Sequence, residues 1–168
     1  MHGFFSFNRK GALFIDIHIL INGKAAVLAI EPDEYLSETL RTAGMLSVRR
    51  GCDTGMCGLC TVLVDGTPVL SCSTLSIRAD GHAVYTLEGM QKEAAAFTDY
   101  LTEQGAEQCG FCAPGFILTV LAMKRELQTP NEEAIRRYLN GNLCRCTGYM
   151  GQMRAVRRYM GLPEPEVD

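Results

Sequence analysis

The chain has 168 residues, 47% of them apolar and 21% charged, with a formal net charge of −3 at pH 7. Those values suit one ordinary domain or two small ones and exclude a disordered chain. The slight acidity, with Arg49-Arg50 and Arg136-Arg137 as isolated basic pairs, gives no surface for nucleic acid, and no stretch approaches the roughly 18 apolar residues of a bilayer span.

Residues 1–11 read as an N-terminal extension: the aromatic start is followed by Arg9 and Lys10, the reverse of a secretory signal. Leu13, Ile15, Ile17, Ile19 and Ile21 are apolar at every second position, the pattern of a strand with one buried face. Asn22-Gly23 is a hairpin turn, because both residues tolerate positive φ, and Lys24 to Ile30 returns as the partner strand. A helix is expected from about Asp33 to Ala43, with Leu36 and Leu40 on one stripe and Gly44 at its end. Thr61–Val64, Asp65-Gly66 and Thr67–Ser71 make a second hairpin, and Val84–Leu87 a last short strand. Beyond Met90 the period changes to helical. Helices are expected over Gln91–Gln104 and Gly115–Leu127, from a Thr129-Pro130-Asn131-Glu132 start to about Leu139, and over Met150–Met160. The predicted organisation is α+β: a small sheet domain over 12–90, a four-helix domain over 91–160, and a tail over 161–168.

The eight cysteines form two quartets with none left over. The first, Cys52-x4-Cys57-x2-Cys60-x11-Cys72, has the plant-type 2Fe–2S spacing. A loop that wraps such a dianionic centre must turn tightly and aim N–H groups inward, and Gly51, Gly55 and Gly58 supply the freedom. Cys72 closes the cage from the far end of the Asp65-Gly66 hairpin. Buried free thiols or a zinc site are the plain alternatives, but zinc favours paired C-x2-C knuckles, which this spacing does not provide. A thiol-rich chain of this kind belongs in the reducing cytoplasm.

The second quartet is Cys109-x2-Cys112-x31-Cys144-x-Cys146. Taken alone, Cys109-Gly110-Phe111-Cys112 suits a redox pair or a zinc half-site as well as a cluster. Each cysteine pair precedes a helix, so two helix N-termini would converge on one negative centre. On spacing alone, iron–sulfur and zinc both stay open here.

Gly51-Cys52 through Cys60-Thr61-Val62, then Gln108-Cys109-Gly110-Phe111-Cys112-Ala113-Pro114-Gly115, then Gly141-Asn142-Leu143-Cys144-Arg145-Cys146-Thr147-Gly148-Tyr149 carry a resemblance. Over residues 13–160 the chain resembles the iron–sulfur subunit of the molybdenum hydroxylases, the superfamily of xanthine dehydrogenase, aldehyde oxidoreductase and carbon monoxide dehydrogenase. The resemblance implies a ferredoxin-like β-grasp domain followed by a four-helix bundle, each with one 2Fe–2S cluster. It implies that Cys52, Cys57, Cys60 and Cys72 ligate the cluster nearer a flavin, and Cys109, Cys112, Cys144 and Cys146 the one nearer molybdenum. It implies further that Cys146 and Gln108 approach the pterin of a molybdenum–pterin cofactor held by a large subunit, with FAD on a medium subunit. Electrons would pass from molybdenum through both clusters to the flavin.

Between the first two ligands the chain has Asp53-Thr54-Gly55-Met56 where many members have Gly-Glu-Gly, and Leu59 and Ala113 replace a common Ala and Thr. These departures touch no ligand but leave the substrate branch open. His18 reads as a solvated side chain, and Met150, Met153 and Met160 as core. The absence of a GxGxxG or Walker loop puts nucleotide binding elsewhere. Two rival readings are a free-standing ferredoxin-type carrier and a colourless zinc-stapled interaction module.

Overall fold

The computed structural model describes the backbone of residues 5–7 and the whole of residues 13–163. Its strands are β1 (Phe5–Phe7), β2 (Leu13–Ile21), β3 (Lys24–Ile30), β4 (Thr61–Val64), β5 (Thr67–Leu70) and β6 (Ala83–Tyr85). The helices are α1 (Leu36–Thr42), α2 (Gln91–Glu103), α3 (Ala113–Glu126), α4 (Glu132–Leu139) and α5 (Met150–Met160).

The strands form one mixed sheet in the order β1-β2-β6-β4-β5, with β3 also paired to β2. Along β2 the side chains of Ile17, Ile19 and Ile21 are buried while His18 and Leu20 face out, as the alternation predicts. Asn22 (φ 52°) and Gly23 (φ 78°) make the tight turn into β3. The Asn22 side chain also accepts from the Thr86 N–H (2.9 Å) and donates to Thr86 Oγ1 (3.0 Å), tying the turn to the end of β6. β6 runs parallel to β2 and antiparallel to β4. Leu36 and Leu40 of α1 pack with Ile19, Ile21, Val62 and Val84 into the core of this half.

The helical half has its own core around Phe97 of α2, Phe116 of α3 and Tyr159 of α5, with ring centroids 5.9 and 5.1 Å from Phe97. Phe97 is fully buried, worth about 1.5–3 kcal/mol on area alone. Leu63 of β4 belongs to this helical core, so α3 lies against the sheet and the halves share one packed boundary.

Several expectations shift. α1 begins at Leu36 rather than near Asp33, because Tyr35 is extended and bridged to Leu75, and the Leu36 N–H bonds Thr74 O. α4 is capped by Asn131, whose side chain accepts from the Ala134 N–H, so Thr129 and Pro130 stay in the loop. β6 ends at Tyr85 because Leu87–Gly89 turns as a short 3-10 helix. Met153 and Met160 pack on the core as expected, whereas Met150 is 67% exposed. Phe5–Phe7 adds a short strand, paired Phe5↔Ile15 to Phe7↔Leu13, inside the segment read as an extension. What was expected of the rest of that extension and of the tail past Pro163 lies outside the described residues. Among the described residues, no helix is long and apolar enough to cross a membrane.

Candidate metal centres

The first quartet is built almost wholly from local chain. Cys52, Cys57 and Cys60 lie on the loop between α1 and β4, and Gly55 (φ 68°) and Gly58 (φ 70°) take left-handed conformations there. Gly51 does not, and a Cβ there would stand 2.8 Å from Leu59 Cδ2, the movable end of that side chain, and 3.6 Å from Cys57 Sγ. Cys60 immediately precedes β4, and the hairpin pairs Thr61 with Leu70, so the chain returns to Cys60 just before Cys72. Ser71 fixes the closure, donating Oγ–H to Cys60 O at 2.6 Å.

The second quartet is assembled from segments far apart in sequence. Cys112 caps α3, whereas Cys144 and Cys146 lie on the loop between α4 and α5. Tyr149 ends that loop in a left-handed conformation (φ 68°), which turns its phenol back so that Oη accepts the Cys144 N–H at 2.8 Å. Cys144 Sγ lies 3.1 Å from Thr147 Oγ1. Gln152 on the first turn of α5 donates Nε2–H to Cys112 Sγ at 3.7 Å. Two helix starts do reach this quartet, α3 through its cap and α5 through a side chain.

All eight cysteines are free thiols, and they meet in pairs: Cys52 with Cys57, Cys60 with Cys72, Cys112 with Cys144, and Cys109 with Cys146, the last at 3.5 Å. Two thiolates per iron is the ligation of a 2Fe–2S centre, and the paired donors fit it.

At three of the sulfurs, nearby donors favour thiolate. The Thr54 N–H, the Cys57 thiol and the N–H groups of Cys57 and Met56 hold Cys52 down to about 6. The Phe111 N–H and the Cys146 thiol lower Cys109. Burial pushes Cys144 up, but the Thr147 hydroxyl and N–H and the Cys146 N–H bring it below the ordinary thiol value. Their partners go the other way: burial and then Cys144 push Cys112 up to about 11, burial raises Cys57, and Cys109 raises Cys146. Burial and then Cys60 push Cys72 up to about 12. Inward N–H groups that stabilise a thiolate are what an anionic sulfur cage needs.

The quartets are held against each other by glycine contacts. A Cβ on Gly58 would stand 2.1 Å from Gly141 O, and one on Gly115 would stand 2.3 Å from Gly58 O. Cys57 O accepts from the Leu143 N–H at 2.9 Å, one hydrogen bond between a first-quartet cysteine and the neighbour of Cys144. Arg49 covers the Phe111 ring at 5.6 Å across the same seam.

Comparison with known proteins agrees with this arrangement. A family model described as a 2Fe-2S iron-sulfur cluster binding domain matches residues 29–96, and one described as a 2Fe-2S binding domain matches 86–157. The xanthine dehydrogenase iron-sulfur-binding subunit of Escherichia coli O157:H7 is 47% identical over 142 residues, 80% of this chain and 87% of that protein. The nicotinate dehydrogenase small FeS subunit of Eubacterium barkeri is 41% identical over 146 residues, 85% of this chain and 93% of that protein. The chain belongs to the iron–sulfur subunits of the molybdenum hydroxylases. It is an electron-transfer subunit of an oxidoreductase, with one 2Fe–2S domain in each half. Solved molybdenum hydroxylase structures share its fold. Quinoline 2-oxidoreductase from Pseudomonas putida 86 superposes with a TM-score of 0.78 at 36% identity, covering 85% of this chain and 90% of that one. Aldehyde oxidoreductase from Desulfovibrio gigas gives 0.78 at 35% identity, covering 88% of this subunit but 17% of the longer chain.

Of the residues singled out in sequence, the fold brings all eight cysteines into their two quartets. Gln108 is exposed beside Cys109, lining a small hollow of about 10 Å³ with Cys109, Cys112, Cys146 and Gln152. Sequence reasoning missed Tyr149 as a backbone acceptor and Gln152 as a sulfur donor. Only the closeness of Gln152 to the cysteine motif in sequence could have pointed to it.

Proposed function

We propose that Cys52, Cys57, Cys60 and Cys72 ligate one 2Fe–2S cluster and that Cys109, Cys112, Cys144 and Cys146 ligate the other. The observation that carries this is the meeting of the eight thiols in four pairs, two pairs to a quartet. When bound, such centres accept and release single electrons. The chain's own part is to hold the thiolates, exclude water from Cys57 and Cys60, which are 4% and 2% exposed, and keep the two sites in fixed register. The proposed domain division falls near Met90, giving 12–90 and 91–160.

In this reading the second quartet faces a large molybdenum–pterin subunit and the first an FAD-binding medium subunit. Two observations support the orientation. Cys109 and Cys146 are exposed on chain that also exposes Phe111, Leu143, Tyr149 and Met150, apolar side chains suited to a permanent interface. The first quartet instead lies beside a cleft of about 420 Å³ that brings the charged Arg50, Asp53 and Glu38 together with Tyr35 around Cys52 and Cys72. Gln108 and Cys146, exposed side by side with Cys109, are the residues proposed to approach the pterin. The complex is placed in the cytoplasm, where eight free thiols stay reduced until metal binds.

The test is paramagnetic resonance during stepwise reduction of the native complex, with iron, zinc and molybdenum counted on the same sample. Two distinct 2Fe–2S signals, about four irons per chain and a molybdenum signal coupled to one of them are expected. Zinc without a paramagnetic signal would defeat the ligand assignment, and two clusters without molybdenum would point to a free-standing carrier.

A further inference from the structure

Gln152 is 4% exposed, the only long polar side chain buried against the second quartet among the described residues. Burying a carboxamide costs several kcal/mol unless its groups are bonded, and a Leu or Ile would fill the same space on α5. Its bonds are therefore informative. Nε2 points at Cys112 Sγ (3.7 Å), and Oε1 accepts from Thr147 Oγ1 (3.2 Å). Thr147 Oγ1 lies 3.1 Å from Cys144 Sγ and accepts the Tyr149 N–H at 3.3 Å. The carboxamide thus touches the surroundings of both thiols, Cys112 directly and Cys144 through Thr147, whose single hydroxyl proton serves either Oε1 or the Cys144 sulfur and not both. The opposite amide orientation would set the Oε1 lone pairs against an anionic sulfur, so the thiolate form of Cys112 favours the observed one.

We propose that Gln152 sets the reduction potential of the second cluster by donating a hydrogen bond to the Cys112 sulfur. The inference rests on the ligand assignment above. Adding one electron adds one negative charge, shared with the thiolate sulfurs. A donor to sulfur therefore stabilises the reduced form more than the oxidised form and raises the potential. No corresponding long carboxamide side chain bonds a sulfur of the first quartet in the described structure. Gln152 thus acts on one site of the two, biasing electrons toward the second cluster relative to a chain with an apolar residue there.

The experiment replaces Gln152 by Leu and, separately, by Met, which keeps an unbranched stem, in the native complex. Midpoint potentials of both clusters are read by paramagnetic resonance titration, with iron counted on each sample. The second-cluster signal is identified as the one whose g values change in Cys146→Ser. In both variants its reduced-to-oxidised ratio at a fixed potential should fall about tenfold, a shift of ~59 mV for one electron, to lower potential. The other signal should not move. An unmoved or raised second-cluster potential with iron retained would overturn the proposal, as would equal movement of both signals. Loss of second-cluster iron in both variants would make Gln152 a structural residue and overturn it too. Failure of the underlying reading looks different: the unsubstituted complex would itself lack the two iron signals.

Discussion

The two quartets reach similar ends by opposite routes. The first places three cysteines within nine residues of one loop and recruits the fourth through a hairpin whose register delivers Cys72 beside Cys60. The second has a 31-residue gap between its inner cysteines, and only the packing of α3, α4 and α5 brings Cys112 to Cys144. A site made by local turns depends on backbone conformation at a few glycines. A site made by helix packing depends on a core some distance from the sulfurs. The surroundings differ too: a cleft carrying Arg50, Asp53 and Glu38 beside one, the exposed Phe111, Leu143 and Met150 around the other.

The sharpest way to separate them is Phe97→Ala. Phe97 packs α2 on α3 and α5 through Phe116 and Tyr159, so its truncation should cost about 3–5 kcal/mol. Iron should be lost first from the second site, leaving roughly two of four irons per chain; equal loss from both sites would show that the sites are not separately supported. Gly58→Ala should break the comparison instead of sharpening it. Its Cβ would meet Gly141 O at 2.1 Å, and its φ is +70°, so crowding and left-handed strain together should cost about 2–4 kcal/mol. Because Gly58 belongs to the first loop and Gly141 to the second, both cluster signals should be perturbed, and a change in only one would refute the shared seam.

The smallest effect concerns the sheet half alone. The His82 side chain, and then the Ala83 N–H, lower the Asp65 carboxyl below its usual 3.8. A lowered folded value means that the stabilisation is present above the unfolded value and lost as pH falls through the folded one. Asp65→Asn should therefore unfold slightly earlier than the unsubstituted chain at pH 7, and the gap should close below about pH 4. Thermal unfolding across that range checks it; a gap that widens in acid would reverse the sign.

Much of the scaffold is legible because its signals are local. Alternation gives β2, and positive φ at Asn22-Gly23 and Asp65-Gly66 gives both hairpins. The errors fall where a distant partner decides. Asp33 and Thr129 are good helix-capping residues, yet α1 waits for Tyr35 to pair with Leu75 and α4 for the Asn131 side chain to reach the Ala134 N–H. Gly51 looked like a conformational glycine, yet unlike Gly55 and Gly58 it does not take a left-handed conformation.

By itself, the sequence determined the two cysteine quartets, the sheet-then-helix order and the family, because cysteine spacing, turn residues and hydrophobic period are written along the chain. The tertiary structure alone decided how the quartets meet and what surrounds their sulfurs. The approach of Gly58 to Gly115 and Gly141, the bond from Leu143 to Cys57, and the inward side chains of Tyr149 and Gln152 are examples. The glycine, Leu143 and Gln152 contacts join residues far apart in sequence that only packing brings close, and the Tyr149 bond depends on a left-handed turn within one loop.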